Sequence, residues 1–435
     1  MALLLAWAPL LAAAGEPPRG ATQAEALPFV EDDYPRALAE ARRRKVPLFV
    51  DAWAPWCHSC RFLRAHVLTD AALRPHAGRF VWLAIDTEQA RNATFLGKYP
   101  VQVWPTLMVI DPAREQAALR WPGGLTVPQL VRLLEDGERA VGGPRGERTG
   151  LAALARADRL AASGKHREAA RGYRELLPEL PADRRARAIE SLLGSFKLGQ
   201  QEGECAQAAL ELVPTMPRGP SFANAASFGL GCAEALPAAE RGRVAPPLAA
   251  LVEEALGLPG LLADDRSGLF EQLVERRERA GDAAGTKALA ARWLGFLEAE
   301  AARARGIEQR AAFDPHRAAA ALALREPMRA VPALVATERD LPADYNAPAR
   351  LALLYRAAGR LDDALAAIHR ALARVYGPRT LRLLDLLADL QEEKGDRAGA
   401  RRTLEQALRT ARALSPEQRR DQLVAMFEQK LAASR

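Results

Sequence analysis

The sequence predicts a multidomain protein, an α/β domain followed by a longer all-α array of helical repeats. Three observations carry this. The chain has 435 residues, more than one ordinary core organises. Residues 33–136 alternate helix and strand signals in the order α-β-α-β-α-β-β-α. From Leu151 onward no convincing strand appears, and a Gly-to-Ala spacing that marks helix–turn–helix units recurs.

The first fourteen residues, MALLLAWAPLLAAA, carry no charge and are too short to span a bilayer. Ala12-Ala13-Ala14 fits a small-residue cleavage site, so residues 1–14 are expected to be a secretory signal peptide, although no basic n-region precedes them. Residues 15–30 are Pro- and Ala-rich and are expected to be disordered. A helix is expected from Asp33 to about Lys45, and a buried strand from Val46 to Trp53. A Pro-Trp-Cys turn leads into a helix from Cys57 to about Leu68. Strands follow at Phe80–Ile85, Thr106–Ile110 and Gln116–Trp121, with a helix at 89–98 between the first two. Pro122-Gly123-Gly124 breaks the last strand, and Thr126 opens a helix to about Asp136. The α/β domain thus spans 31–137. The Gly- and Arg-rich stretch 138–150 reads as a linker, which leaves residues up to about 140 to fold by themselves.

In the helical region, 151–435, Gly164 and Ala169, Gly359 and Ala364, and Gly395 and Ala400 repeat one spacing. Gly359 and Gly395 are 36 residues apart. Tyr355 before Gly359, and Leu365, Ile368 and Leu372 after it, extend the pattern. Gly281-Asp282 opens a weaker unit through Trp293. This region resembles a tetratricopeptide array, most specifically over 345–410, and such units must stack into a solenoid to bury their faces. A generic helical bundle is the competing reading.

Charge is a poor guide to function here. The net charge of +7 divides into 18 Lys/Arg against 16 Asp/Glu over residues 1–150 and 43 against 38 over the rest. Acids interleave with bases and no stripe of aromatic and basic residues forms, so no nucleic-acid partner is expected. After the leader, no segment is long and apolar enough to cross a membrane.

The chemistry concentrates in Trp56-Cys57-His58-Ser59-Cys60. A strand hands over to a helix here, and the helix N-terminus stabilises negative charge on Cys57. Cys60, one turn further in, lies within reach to resolve a mixed disulfide. C-x-x-C alone is a weak signal, because zinc sites use that spacing too. Trp53 and Trp56, the acid Asp51 inside an apolar strand, and Trp104-Pro105-Thr106 opening another strand strengthen it. Asp51 would be costly there unless neutral or hydrogen-bonded, so its pKa should rise, which suits a proton shuttle. A satisfied structural acid is the alternative. Pro105 is a candidate cis proline, with a trans turn as the alternative. His58, if protonated, would stabilise the Cys57 thiolate; otherwise it simply faces solvent.

Residues 33–136 resemble the thioredoxin superfamily. Phe49 to Cys57 matches the approach to that family's active site almost position by position, Val103-Trp104-Pro105-Thr106 its cis-proline loop, and Gly123-Gly124 the turn before its final helix. Exported thioredoxin-like domains such as the C-terminal domain of DsbD-type reductases are the nearest likeness. The resemblance implies that Cys57 is the nucleophile, Cys60 the resolving thiol and Asp51 the proton acceptor for Cys60. It also implies a substrate groove that includes Trp56, His58, Trp104, Pro105 and Thr106. Two positions depart from thioredoxin. The dipeptide is His58-Ser59 rather than Gly-Pro, and Trp82 stands where thioredoxin has a lysine near its buried acid.

No cofactor is expected, because the cysteines carry both electrons. No metal is expected either. Zinc on Cys57 and Cys60 needs two more ligands, His66 lies two turns along, and His76, His166, His316 and His369 are scattered without a pattern. Cys205 and Cys232, 27 residues apart in helical stretches, are expected to form a structural disulfide, with two reduced core cysteines as the alternative. The leading reading is a periplasmic or secreted thiol–disulfide oxidoreductase acting on protein disulfides or dithiols, with the helical array docking a protein partner. The Trp-Cys context and buried acid favour a reductase, and His58 pulls the other way. The second reading is a non-enzymatic scaffold of the cell envelope in which the repeats are the function.

Overall fold

The computed structural model describes residues 27–142 and 150–433. The expected signal peptide, most of the expected disordered segment and residues 143–149 of the expected linker lie outside them.

The α/β domain is built on one five-stranded sheet. Its strands are β1 (Phe29–Glu31), β2 (Leu48–Trp53), β3 (Val81–Asp86), β4 (Thr106–Asp111) and β5 (Gln116–Pro122), in spatial order β1-β3-β2-β4-β5. β3 runs parallel to both β1 and β2, whereas β4 is antiparallel to β2 and β5. The helices are α1 (Tyr34–Arg44), α2 (His58–Phe62), α3 (Ala93–Lys98) and α4 (Val127–Gly142). β2 is central because it is buried on both faces. Successive side chains of a strand alternate between faces. Leu48, Val50 and Ala52 join Ala37, Leu83, Phe95 and Ile110 on one side, while Phe49 joins Leu63, Val67, Leu107 and Leu130 on the other. Asp51 shares parity with Phe49, which places it on the face that packs the helix carrying the cysteines.

Two elements differ from the sequence reading. β1 begins two residues inside the segment expected to be disordered, pairing Phe29 with Trp82 and Val30 with Leu83. It is only three residues long, which is too short for alternation to show. At the other end, α4 runs to Gly142, into the stretch read as linker.

Among the described residues after 150 no strand forms, and no helix is long and apolar enough to cross a membrane. The recurrent glycines end helices in the left-handed region. Gly359, at φ 73°, separates Asn346–Ala357 from Leu361–Leu372, and Gly395, at φ 87°, separates Arg379–Glu393 from Arg397–Ala413. The partner alanines Ala169, Ala364 and Ala400 are buried, because a small side chain lets the two helices of a unit close on each other.

The helical part is not tethered loosely. Helix Gly150–Ala162 lies against β5, an edge strand, and completes it with side chains. Asp158 accepts from the Arg120 backbone N–H at 2.9 Å, and Arg187 donates to the Arg120 carbonyl at 2.9 Å while also pairing with Asp158. An exposed edge is a template for pairing with another chain, and these two side chains blunt it.

Candidate active site

β2 ends at Trp53, and Ala54-Pro55-Trp56 turn the chain so that Cys57 caps α2. Its Sγ accepts the Cys60 N–H at 3.0 Å, one of the donors that a helix N-terminus leaves free. Cys57 and Cys60 are bonded as a disulfide, with Cα atoms 5.3 Å apart. Cys60 is fully buried and Cys57 is 5% exposed. After Phe62 the helix widens into one π turn, Leu63–Val67, where Leu68 N donates to Leu63 O at 2.9 Å. That turn carries Arg64.

Asp51 is fully buried, and neither carboxylate oxygen has a hydrogen-bond partner. Burial pushes its pKa up to about 7, with the Arg64 guanidinium, 3.7 Å away, pulling the other way. Arg64 lies 4.3 Å over the Trp53 ring. It therefore supplies the cation that Trp82 cannot. Trp82 is a core residue, donating to Ala77 O at 3.0 Å and packed against Phe49 and Phe80.

The other wall is aromatic. Trp56 and Trp104 meet edge to face at 5.1 Å, around a small apolar patch of Ala54, Cys57 and Cys60. The Trp104–Pro105 peptide is cis. Thr106 Oγ1 donates to Val103 O at 2.7 Å and Gly123 N donates to Pro105 O at 2.7 Å, so the glycine turn holds the proline loop. Trp104 Nε1 donates to Thr87 Oγ1, and Trp56 Nε1 to Glu88 Oε1, both at 2.8 Å.

No motif announces that the helical part covers this centre. Asn346 donates to Pro55 O at 3.0 Å, and Arg350 to Trp56 O at 3.4 Å. Arg61 pairs with Asp344. Glu88 accepts from the Arg379 backbone N–H at 2.6 Å, Asp86 accepts from Tyr376 Oη, and Gln418 donates to Thr87 O at 2.9 Å. Phe62 sits in the core of the helical part, and Trp56 packs against its next core cluster. These contacts seat the helical part directly on the α/β domain, around the dithiol. Arg350 is so enclosed that burial lowers its pKa to about 10.

Both residues between the cysteines are held from the same side. Asp264, on helix Ala263–Arg279, accepts from Ser59 Oγ at 2.6 Å and contacts His58 Nδ1 at 2.8 Å. Burial works against a charged His58, and the Asp264 carboxylate overcomes it, leaving the His58 pKa above its ordinary value. Asp264 in turn is held well below the usual carboxylate range, against its own burial, by His58 and His316. His58 is thus neither free nor facing solvent alone. His316, which sequence inspection left without a role, lies 3.0 Å from His58 Nδ1. No spacing rule links residues 58, 264 and 316.

Cys205 and Cys232 are bonded, with Cα atoms 6.0 Å apart, joining helices Glu202–Leu212 and Pro220–Glu234 in the core. No described cysteine is free.

Comparison with known proteins agrees with this architecture. Residues 30–112 match the family described as thioredoxin-like, and residues 345–413 match the tetratricopeptide repeat family. The chain carries a thioredoxin-like domain and tetratricopeptide repeats. The thioredoxin-like domain is 33% identical over 64 residues to thioredoxin M4 of Arabidopsis thaliana chloroplasts, covering 15% of this chain and 31% of that protein. It is 33% identical over 70 residues to a thioredoxin of Porphyra purpurea, 16% of this chain and 62% of the relative. Thioredoxin C-3 of Corynebacterium nephridii is 30% identical over 90 residues, 21% and 57% of the two chains. The chain therefore spans less than two thirds of the length of these relatives. Among solved structures, a tetratricopeptide repeat protein of Parabacteroides merdae aligns at 11% identity and TM-score 0.44, over 66% of this chain and 99% of that one.

Proposed function

We propose that this protein is an extracytoplasmic thiol–disulfide oxidoreductase working as a protein-disulfide reductase. The observation that carries the reading is the Cys57–Cys60 pair at a helix N-terminus, with Cys57 Sγ accepting the Cys60 N–H, together with a buried Asp51 that has no hydrogen-bond partner. In the reduced protein the Cys57 thiolate attacks a substrate disulfide, forming a mixed disulfide and releasing one substrate sulfur as a thiolate that takes a proton from solvent. Cys60 then gives its proton to Asp51 and attacks Cys57 Sγ. The Cys57–Cys60 disulfide forms, and the second substrate thiolate leaves and is protonated. Two electrons pass to the substrate, and an external dithiol must return them. A pKa near 7 lets Asp51 take and release that proton at neutral pH.

Export is supported by the apolar leader and by the Cys205–Cys232 bridge, since buried structural disulfides belong to oxidising compartments. Substrate approach is supported by a cavity of about 510 Å³ beside the dithiol, lined by Trp56, Thr87, Trp104, Arg379, Arg382 and Arg420. Repeat helices form one wall, so a docked protein is presented to Trp56 and Trp104. The burial of Cys57 favours a second reading, in which the repeats bind a partner and the dithiol is silent. The two separate on one measurement. Reduced full-length protein should transfer electrons to a small aromatic disulfide, releasing its coloured thiol as Cys57 and Cys60 become bridged. No release under native conditions would leave the scaffold reading.

A further inference from the structure

Three potential ligand atoms converge where the two parts of the chain meet. His58 Nδ1 is 2.8 Å from Asp264 Oδ1 and 3.0 Å from His316 Nε2, and His316 Nε2 is 3.4 Å from Asp264 Oδ1. Asp264 and His316 are 3% and 2% exposed, so bulk solvent does not reach them. Protons alone serve this triangle poorly. A hydrogen on His58 Nδ1 can be shared between Asp264 and His316, but the His316 Nε2 lone pair then faces a carboxylate oxygen with nothing between. A hydrogen on His316 Nε2 instead leaves the His58 Nδ1 lone pair against Asp264 Oδ1 at 2.8 Å, and hydrogens on both nitrogens meet head on. Each imidazole nitrogen carries one hydrogen or one lone pair, and neither choice suits all three contacts.

We infer that His58, Asp264 and His316 form a divalent transition-metal site, with zinc as its natural fit. Two imidazole nitrogens and one carboxylate oxygen are a zinc donor set, with bonds of about 2.0–2.2 Å. A tetrahedron of that size sets its ligands roughly 3.3 Å apart, so the observed triangle needs to open by only a few tenths of an ångström. The surroundings suit the role. Ser59 Oγ donates to Asp264 Oδ2 at 2.6 Å and leaves Oδ1 for the ion. Glu271 lies on the far side of His316, 3.9 Å from Nδ1, and favours a proton there, which frees Nε2 as a ligand. The His58 side chain is 36% exposed, which gives the ion a way in and leaves a fourth position to solvent.

The site joins the residue between the two cysteines to helices Ala263–Arg279 and Asp314–Ala323. A bound ion therefore clamps the helical part over the dithiol. The site does not depend on the redox reading, and its test uses the oxidised protein, in which Cys57 and Cys60 are bridged and cannot bind metal.

Chelator-stripped, oxidised full-length protein is dialysed against micromolar zinc chloride, and bound zinc is counted by atomic emission. One zinc per chain is expected, with a zinc-dependent rise in Tm. His316→Ala and Asp264→Ala should weaken binding at least tenfold. Because those side chains are buried, the half-exposed His58→Ala provides a second test, with folding checked by circular dichroism, and the same loss is expected. The Cys57→Ser/Cys60→Ser double variant should bind as wild type. Absence of binding by the wild type, unchanged binding by folded His58→Ala, or loss of binding in the double cysteine variant would each overturn the proposal.

Discussion

His58 and Asp264 are 206 positions apart in the chain and 2.8 Å apart in space. With the Asn346–Pro55 and Gln418–Thr87 hydrogen bonds, this contact makes the helical part a cover over the dithiol rather than an appendage. Cys57, 5% exposed, lies beneath that cover.

At Gly377 the cover packs against the Glu88 backbone with no room for a side chain. The glycine has φ 64°, and a Cβ there would lie 2.3 Å from the Glu88 carbonyl oxygen. Gly377→Ala adds this clash to a left-handed backbone cost of about 1 kcal/mol. The variant should loosen the cover, and alkylation of reduced Cys57 by iodoacetamide should speed up severalfold. An unchanged rate would mean that the cover does not limit access.

The cysteine roles predict an asymmetry. Cys60→Ala keeps the attacking sulfur and loses the resolving one, so mixed disulfides with partner proteins should accumulate on non-reducing gels. Cys57→Ala should trap none. Equal trapping by both would refute the assignment.

Asp51 makes stability depend on pH in a defined direction. Its folded pKa, about 7, lies above the ordinary 3.8, so the folded state holds its proton more tightly than the unfolded one. That contribution is full below pH 3.8, falls as pH rises towards 7, and is gone above it. The shift corresponds to a change of order 4 kcal/mol across the window. Asp51→Asn should remove this slope and be more stable than wild type at pH 8, measured by urea unfolding of the oxidised protein. Wild-type stability that does not change between pH 4 and 7 relative to Asp51→Asn would contradict a neutral buried acid.

The bridge between Cys205 and Cys232 closes a loop over 27 positions. Constraining the unfolded chain over that length is worth about 3.5 kcal/mol in the chain-entropy account. Cys205→Ala/Cys232→Ala should lower the stability of the helical part by that order in denaturant titrations, and non-reducing peptide mapping of wild type should find the linked peptide. A double variant as stable as wild type would show that the bridge adds nothing.

What could be read from the sequence was local. Cys57, Cys60 and Asp51 fall within ten residues, and the alternation of Leu48, Val50 and Ala52 against Phe49 marks a strand buried on both faces. Gly359 and Gly395 mark turns because few other residues tolerate their backbone. Asp264, His316, Asn346, Arg350 and Gln418 were out of reach. They meet the site through tertiary packing, from three helices and a turn, with Asn346 and Arg350 sharing one helix, and no periodicity relates them to Cys57. Arg64 was missed for a subtler reason. It lies on the π turn, 3.7 Å from Asp51, and regular helical spacing does not foretell such a turn.

The same packing predicts where the chain can be cut. A fragment ending at residue 142 keeps the sheet, α1 to α4 and the dithiol, yet loses Asp158 and Arg187, which occupy the backbone N–H and carbonyl of Arg120 on the outer edge of β5. It also uncovers Phe62, which is 5% exposed in the whole protein. An open edge strand beside a bared aromatic residue promotes edge-to-edge pairing. The fragment 27–142 should therefore self-associate in sedimentation velocity at micromolar concentration. A fragment extended to residue 198 regains helices Gly150–Ala162, His166–Leu176 and Ala182–Leu198, and with them Asp158, the Tyr173 hydroxyl bonded to it, and Arg187. It should sediment more nearly as a monomer, and Asp158→Ala within it should restore association. If fragment 27–142 is a stable monomer, the helical part covers the site without completing the domain, and the N-terminal domain is an independent folding unit.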